Sequence, residues 1–198
     1  MVELLLAALL TADQIVLDNE YVRVSRDVAP CALSGPECGD RVIVALGDTE
    51  VVSGDLHRKM TRGDIAVFAP GESYEVAGQG EFFEVAIKPK HPPAQSPGEV
   101  LAPDKNAVRY AGAGFFVFEE RLAPGDTRAR HSHSQRVVMQ LNRARLQQWL
   151  DGQPPFLVET VPDQANFSPP VVHVVKNVGQ TPLLGIVVEF KPAGAESQ

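Results

Sequence analysis

Apolar residues recur along this chain in short runs separated by Gly, Pro, Asp and Asn, as in QIVLDNEYVRV, DRVIVALGDTEVV and GDIAVFAPGESYEV, and a helical spacing of apolar positions is scarce. Runs of that length suit strands, and their punctuation is turn chemistry. Asp18-Asn19, Gly47-Asp48, Pro70-Gly71 and Asp151-Gly152 read as connections between strands. The pattern predicts an all-β protein.

The pattern also repeats. Asp40-Arg41-Val42-Ile43-Val44-Ala45-Leu46 lies against Gln135-Arg136-Val137-Val138-Met139-Gln140-Leu141, and Ile87-Lys88-Pro89 against Phe190-Lys191-Pro192, the second half being slightly longer. Between them runs KPKHPPAQSPGEVLAPDK, from Lys88 to Lys105, too rich in proline for a helix interior or a central strand. The expected organisation is an apolar N-terminal segment over 1–13, a first domain over 14–90, a linker over 91–106, a second domain over 107–192 and a tail over 193–198.

Candidate chemistry is confined to the second half. In PGDTRARHSHSQRVV, His131 and His133 are two residues apart and share one face of a strand, with Thr127 and Ala129 on the same face and Arg128 and Arg130 turned away. His173, in PPVVHVVKNVGQTP, sits among valines on another strand. Three neutral imidazoles can hold a divalent transition metal such as Fe, Zn, Ni or Mn at about 2.0–2.2 Å and leave coordination positions open. Taken alone, the His131/His133 pair fits equally well a surface strand with His173 elsewhere.

The spacing Gly125-x5-His131-x-His133 resembles the opening of the first cupin motif, and His173-x3-Asn177 resembles the close of the second. In the first half, Gly63-x5-Ala69-Pro70-Gly71-x2-Tyr74-x3-Gly78 is similar to the scaffold of the second motif with tyrosine in place of histidine. With the repeat, the resemblance covers the chain from about Gln14 to Pro192. It implies two tandem double-stranded β-helix (cupin, jelly-roll) barrels, each with a ligand site in its mouth. In the first half Pro36 and Cys38 fall where the histidine pair would be, so Cys38 and Tyr74 mark a vestigial site expected to be metal-free. In the second half the family's glutamate falls on Val137 or Val138, which cannot ligate a metal. Gln140, one strand period further, is either a weak neutral ligand or a polar lining residue. The glycine and proline that precede the third histidine in the family are replaced by the stretch 162–170, implying an atypical loop.

The remaining features narrow the function. A net charge of −7 with no basic cluster argues against nucleic acid. No apolar run reaches the roughly 18 residues of a membrane span. Leu4 to Leu10 has the length of a signal h-region but Glu3 and no basic residue before it, and is read as a short packing helix or a signal remnant. A cytoplasmic location is expected, with a periplasmic or secreted one if that segment is a truncated signal. Cys31 and Cys38 are too few for a disulfide scaffold and are read as free thiols, or as a pair across a turn if the protein is exported. His57 and His91 are read as solvated, Glu119, Glu120 and Glu189 as solvated or, where one faces inward and burial raises its pKa, as a general base, Tyr110, Phe116, Phe118 and Trp149 as core or interface packing residues, and Arg41 and Arg136 as sharing a structural role such as a salt bridge between strands. Barrel edges and the apolar segment invite a homodimer. A three-histidine site without a carboxylate keeps the ion's full charge and favours a small anionic or chelating molecule. Two functions fit: an enzyme, perhaps of dioxygenase type, or a non-catalytic small-molecule binding or sensing cupin.

Overall fold

A computed structural model describes residues 14–33, 38–77, 80–90, 92 and 105–191. The N-terminal segment, His91, Pro36, most of the expected linker and the tail lie outside the described residues. Among those described, the regular structure is strand, with no α-helix. None of it contains a helix long and apolar enough to cross a membrane.

The first half contributes β1 (Ile15–Asp18), β2 (Val22–Arg26), β3 (Arg41–Ala45), β4 (Thr49–Ser53), β5 (Leu56–Met60), β6 (Ile65–Phe68), β7 (Glu75–Ala77) and β8 (Phe82–Ile87). The second contributes β9 (Asn106–Ala111), β10 (Phe115–Leu122), β11 (Thr127–His133), β12 (Arg136–Gln140), β13 (Arg145–Leu150), β14 (Phe156–Glu159), β15 (Gln164–Ser168), β16 (Val171–Asn177) and β17 (Leu183–Phe190). Each half builds two facing antiparallel sheets: β1-β2-β8-β3-β6 over β5-β4-β7, and β15-β12-β17-β10-β9 over β11-β16-β13-β14. The expected turns all fall between strands, and Asn19 caps the β1–β2 hairpin by accepting from the Tyr21 and Val22 amides at 2.8 and 2.9 Å. Asn106, expected in the linker, is instead the first residue of β9.

The two five-stranded sheets pack back to back. Val42, Val44, Phe83 and Val85 of one meet Val137, Met139, Ile186 and Val188 of the other in a single apolar cluster that spans both halves. Strands β3 and β8 are thus buried at every position, one face in this layer and the other in their own barrel. Double-sided burial is why DRVIVAL and FFEVAI read as continuous apolar runs instead of alternating ones. Each fully buried Val, Ile or Met contributes about 1.5–3 kcal/mol.

The junction keeps the internal repeat. Gly63, at φ 88°, donates its amide to Ala45 O, and Asp163, at φ 59°, donates its amide to Gln140 O, both at 2.8 Å. The motif glycine that the second half lacks is therefore replaced by Asp163, aspartate being one of the few residues that tolerate the left-handed region. The stretch 162–170 is correspondingly no loop, since β15 fills most of it and pairs with β12. Arg62 ties the halves together, donating to Leu46 O at 2.6 Å and to Leu141 O, and pairing with Asp163.

Of the two states open to the cysteines the structure has the paired one, against the expectation of free thiols: Cys31 and Cys38 form a disulfide with Cα atoms 5.7 Å apart. The bond lies in the connection between β2 and β3. A spacing of seven residues fits either state, so sequence separation alone did not choose between them.

Met139→Ala, at a fully buried position of the shared layer, should lower the unfolding free energy by about 2–5 kcal/mol in chemical denaturation. A loss well below about 1 kcal/mol would show that this layer does not carry the fold.

Candidate metal centre

β11 and β16 pair so that His131 stands directly opposite His173, with His133 two residues further along β11. The three offer ligand nitrogens that all lie within 4.8 Å of one another, the one such group among the described residues. His133 and His173 are buried, whereas His131 is partly so.

Each ring is held by its Nδ1. That of His131 lies 2.7 Å from Ala129 O, that of His133 2.7 Å from a Glu189 carboxylate oxygen, and that of His173 3.2 Å from Gln148 Oε1. A carbonyl, a carboxylate and an amide oxygen accept and do not donate, so each Nδ1 carries the hydrogen and each Nε2 keeps its lone pair. Ser134 N, donating to Glu189 at 2.7 Å, supports the carboxylate form. His131 Nε2 and His173 Nε2 face each other at 3.0 Å. Two lone pairs at that separation repel unless a cation lies against both, so the donor set fits a divalent metal ion.

Burial acts in the same direction. It is the largest cause holding all three imidazoles below their ordinary pKa, with His133 down to about 3, helped by Arg136, and His173 down to about 2, helped by the other two rings. Burial also pushes Glu189 up to about 7, against the Ser134 amide and Arg136, so that it meets His133 as a carboxylate above that pH. Phe118 stacks on His133 with ring centroids 6.0 Å apart and shields that side from water.

Arg128 departs from the sequence reading. Expected to turn away from the histidines, it is buried and its Nη1 lies 3.4 Å from His131 Nε2. A register irregularity in β11 between Arg128 and His131 sets both on the inner side, which strict alternation forbids. Arg128 also donates to Glu120 at 2.6 Å and to Asn106 at 3.0 Å. Glu119, Glu120 and Glu189, read as solvated, are all withdrawn from solvent. For Glu189 a signal existed: a lone charge inside the apolar run GIVVEF, on a strand buried on both faces, has to point into the barrel. Phe118 is a packing residue as expected, although the group it packs against is a site histidine. His57, on β5, is exposed as expected.

A cavity of about 160 Å³ adjoins His133 and His173 and is lined by Glu120, Arg136, Val138 and Gln140 among others. Val138 gives that wall an apolar patch, and Val137 is fully buried in the layer between the barrels. Gln140 lines the cavity, and its Oε1 is buried with no hydrogen-bond partner among the described residues. Arg136 donates to Ser134 O and Pro169 O at 3.2 and 2.9 Å. Arg41 does the same with Gly39 O and Ala69 O at 2.8 and 2.6 Å. Their shared role is to tie down backbone carbonyls, and among the described residues neither makes the expected ion pair between strands.

The first barrel is filled where the second is open. Cys38 is taken up in the disulfide, and Tyr74 is buried, stacked on Phe68 and hydrogen-bonded to Glu84. Glu84 also accepts from Cys31 N at 3.2 Å, and its carboxyl is pushed up by burial. The vestigial positions are thus occupied by a packed polar plug.

Two outcomes follow. Glu189→Gln should weaken divalent-metal binding by about 10–100-fold, read by competition with a chromogenic chelator; unchanged affinity would mean that the Nδ1 contact does not orient His133. The folded pKa of His133 is depressed, so the unfolded chain binds its proton first, and metal-free stability should fall as the pH drops from about 6.5 towards about 3. His133→Ala should flatten that dependence, as followed by circular dichroism; an unaltered profile would refute the assignment.

No protein-family model and no curated protein matches the sequence. Solved structures do share its fold. A cupin 2 conserved barrel domain protein from Leptotrichia buccalis superposes with a TM-score of 0.55 at 13% identity, covering 89% of this chain and 87% of that one. AerE from Microcystis aeruginosa gives 0.53 at 16%, covering 85% and 86%. The oxalate decarboxylase of Lactobacillus farciminis, in a formate complex, gives 0.56 at 14%, covering 87% and 77%. Together with the paired sheets of each half, these likenesses show that the chain has the cupin fold, in two tandem barrels.

Proposed function

We propose that the second barrel is a divalent-metal site for a small anionic or chelating molecule, in which His131, His133 and His173 hold the ion. The observation that carries this reading is the common orientation of the three rings, every Nδ1 engaged by an acceptor and the ligand nitrogens all within 4.8 Å of one another. When bound, the ion supplies Lewis-acid polarisation and open coordination positions for a ligand. The chain's own groups supply orientation and charge. Gln148 and Glu189 hold their rings, Phe118 excludes water, and Arg136 brings a positive charge to the cavity wall that suits an anion. Glu120 is held as a carboxylate by Arg128 and offers the cavity a proton acceptor at Oε2.

A dioxygenase-type reaction is the enzymatic form of this proposal. The Lactobacillus farciminis structure, named as an oxalate decarboxylase, supports a small carboxylate as the class of ligand. The second reading is a binding or sensing protein without turnover, and one observation favours it: Arg128 places a positive charge 3.4 Å from a prospective ligand nitrogen, which weakens metal binding. The Cys31–Cys38 disulfide supports an oxidising compartment over the cytoplasm.

Protein purified without a histidine tag or chelator should carry near-stoichiometric metal by inductively coupled plasma mass spectrometry, and His131→Ala should lose it. Absence of metal from the wild type, even after reconstitution with iron, zinc, nickel and manganese, would overturn the proposal. Metal retained without turnover of any small carboxylate under O₂ would favour the sensing form.

A further inference from the structure

Gly185 opens a gap in the inner wall of the second barrel, and two acceptors lean over it. In the antiparallel register Gly185 of β17 lies between Glu120 of β10 and Gln140 of β12. A Cβ placed on Gly185 would stand 3.2 Å from Met139 O, 3.6 Å from Gln140 Oε1 and 3.8 Å from Glu120 Oε2. The two side-chain oxygens therefore converge over a floor that has no side chain of its own. Gln140 Oε1 has no hydrogen-bond partner among the described residues, and Glu120 meets Arg128 through its other oxygen, Oε1. Both residues line the cavity beside His133 and His173, together with the apolar Val138, Val187 and Leu183. A buried acceptor without a donor, as Gln140 Oε1 is, is costly, and acceptors grouped on a cavity wall define what a ligand has to bring.

We infer that the ligand is a short carboxylate carrying a hydrogen-bond donor, a hydroxyl or an ammonium, at the end remote from the metal, seated over Gly185 against Glu120 and Gln140. This specifies the ligand of the metal site proposed above and rests on that reading. The size agrees: a cavity of about 160 Å³ holds several waters and so suits a short acid. The glycine leaves space for the donor group, and the carboxylate end suits the uncompensated charge of an ion held by three neutral imidazoles.

The test uses the full chain loaded with Co(II), whose visible absorption reports both uptake and ligand binding. Titration with propionate, 3-hydroxypropionate and β-alanine should show at least one donor-bearing acid binding about tenfold more tightly than propionate. The tighter of the two tells hydroxyl from ammonium. Gln140→Leu removes one acceptor, and Gly185→Ala fills the seat with a methyl group. Each should bring the preference close to unity while propionate still binds, and Co(II) uptake shows that each variant is folded, so that either alone suffices. Equal affinity of the wild type for all three acids, or a preference that survives both substitutions, overturns the inference and leaves the metal site standing. A wild-type chain that takes up no Co(II) removes the metal reading and this inference with it.

Discussion

The back-to-back packing of the two five-stranded sheets is the constraint from which the rest of the molecule follows. It gives β3, β8, β12 and β17 a second buried face, so that much of the apolar burial lies between the barrels. The second barrel's own apolar cluster is small, with Leu122, Ala144, Leu146, Val175 and Leu183 at its centre. A barrel stabilised mainly from outside can carry charged groups within, provided that they satisfy one another. Glu120, Arg128 and Asn106 form one such set, and Glu189, His133 and the Ser134 amide form another.

The same frame is filled in two ways. Arg41 and Arg136 make matching contacts, and Gly63 and Asp163 make matching turns, so the duplication persists at the level of backbone support. The interiors have diverged. In the first barrel a buried tyrosine is bonded to a buried glutamate beside the disulfide; in the second, three imidazoles stand next to a cavity.

Much of this was legible in the chain. Apolar runs, turn dipeptides and the offset of Arg41 against Arg136 carry the strand content and the repeat, and two-residue spacing puts His131 and His133 on one face. What the sequence hid has identifiable causes. Strict alternation turned Arg128 outward, because a register irregularity leaves no mark in residue types. Glutamates were read as solvated because composition favours it, although Glu189 sits in a run too apolar for an exposed strand. Asp163 went unrecognised because the glycine of a positive-φ turn was sought by identity and not by conformation. The disulfide escaped because spacing alone does not say whether the chain between two cysteines extends or folds back.

The cystine loop of the first half has a further meaning. In the second barrel the histidine pair rides on a fourth strand, β11, and among the described residues the first half's smaller sheet has three. What separates the two halves here is therefore a matter of backbone as well as of side chains. A histidine in place of Tyr74 would restore one ring, but the other two would have to stand where the Cys31–Cys38 bond now ties the chain. What the first barrel offers its neighbour is a wall, and a wall asks only for well-packed strands.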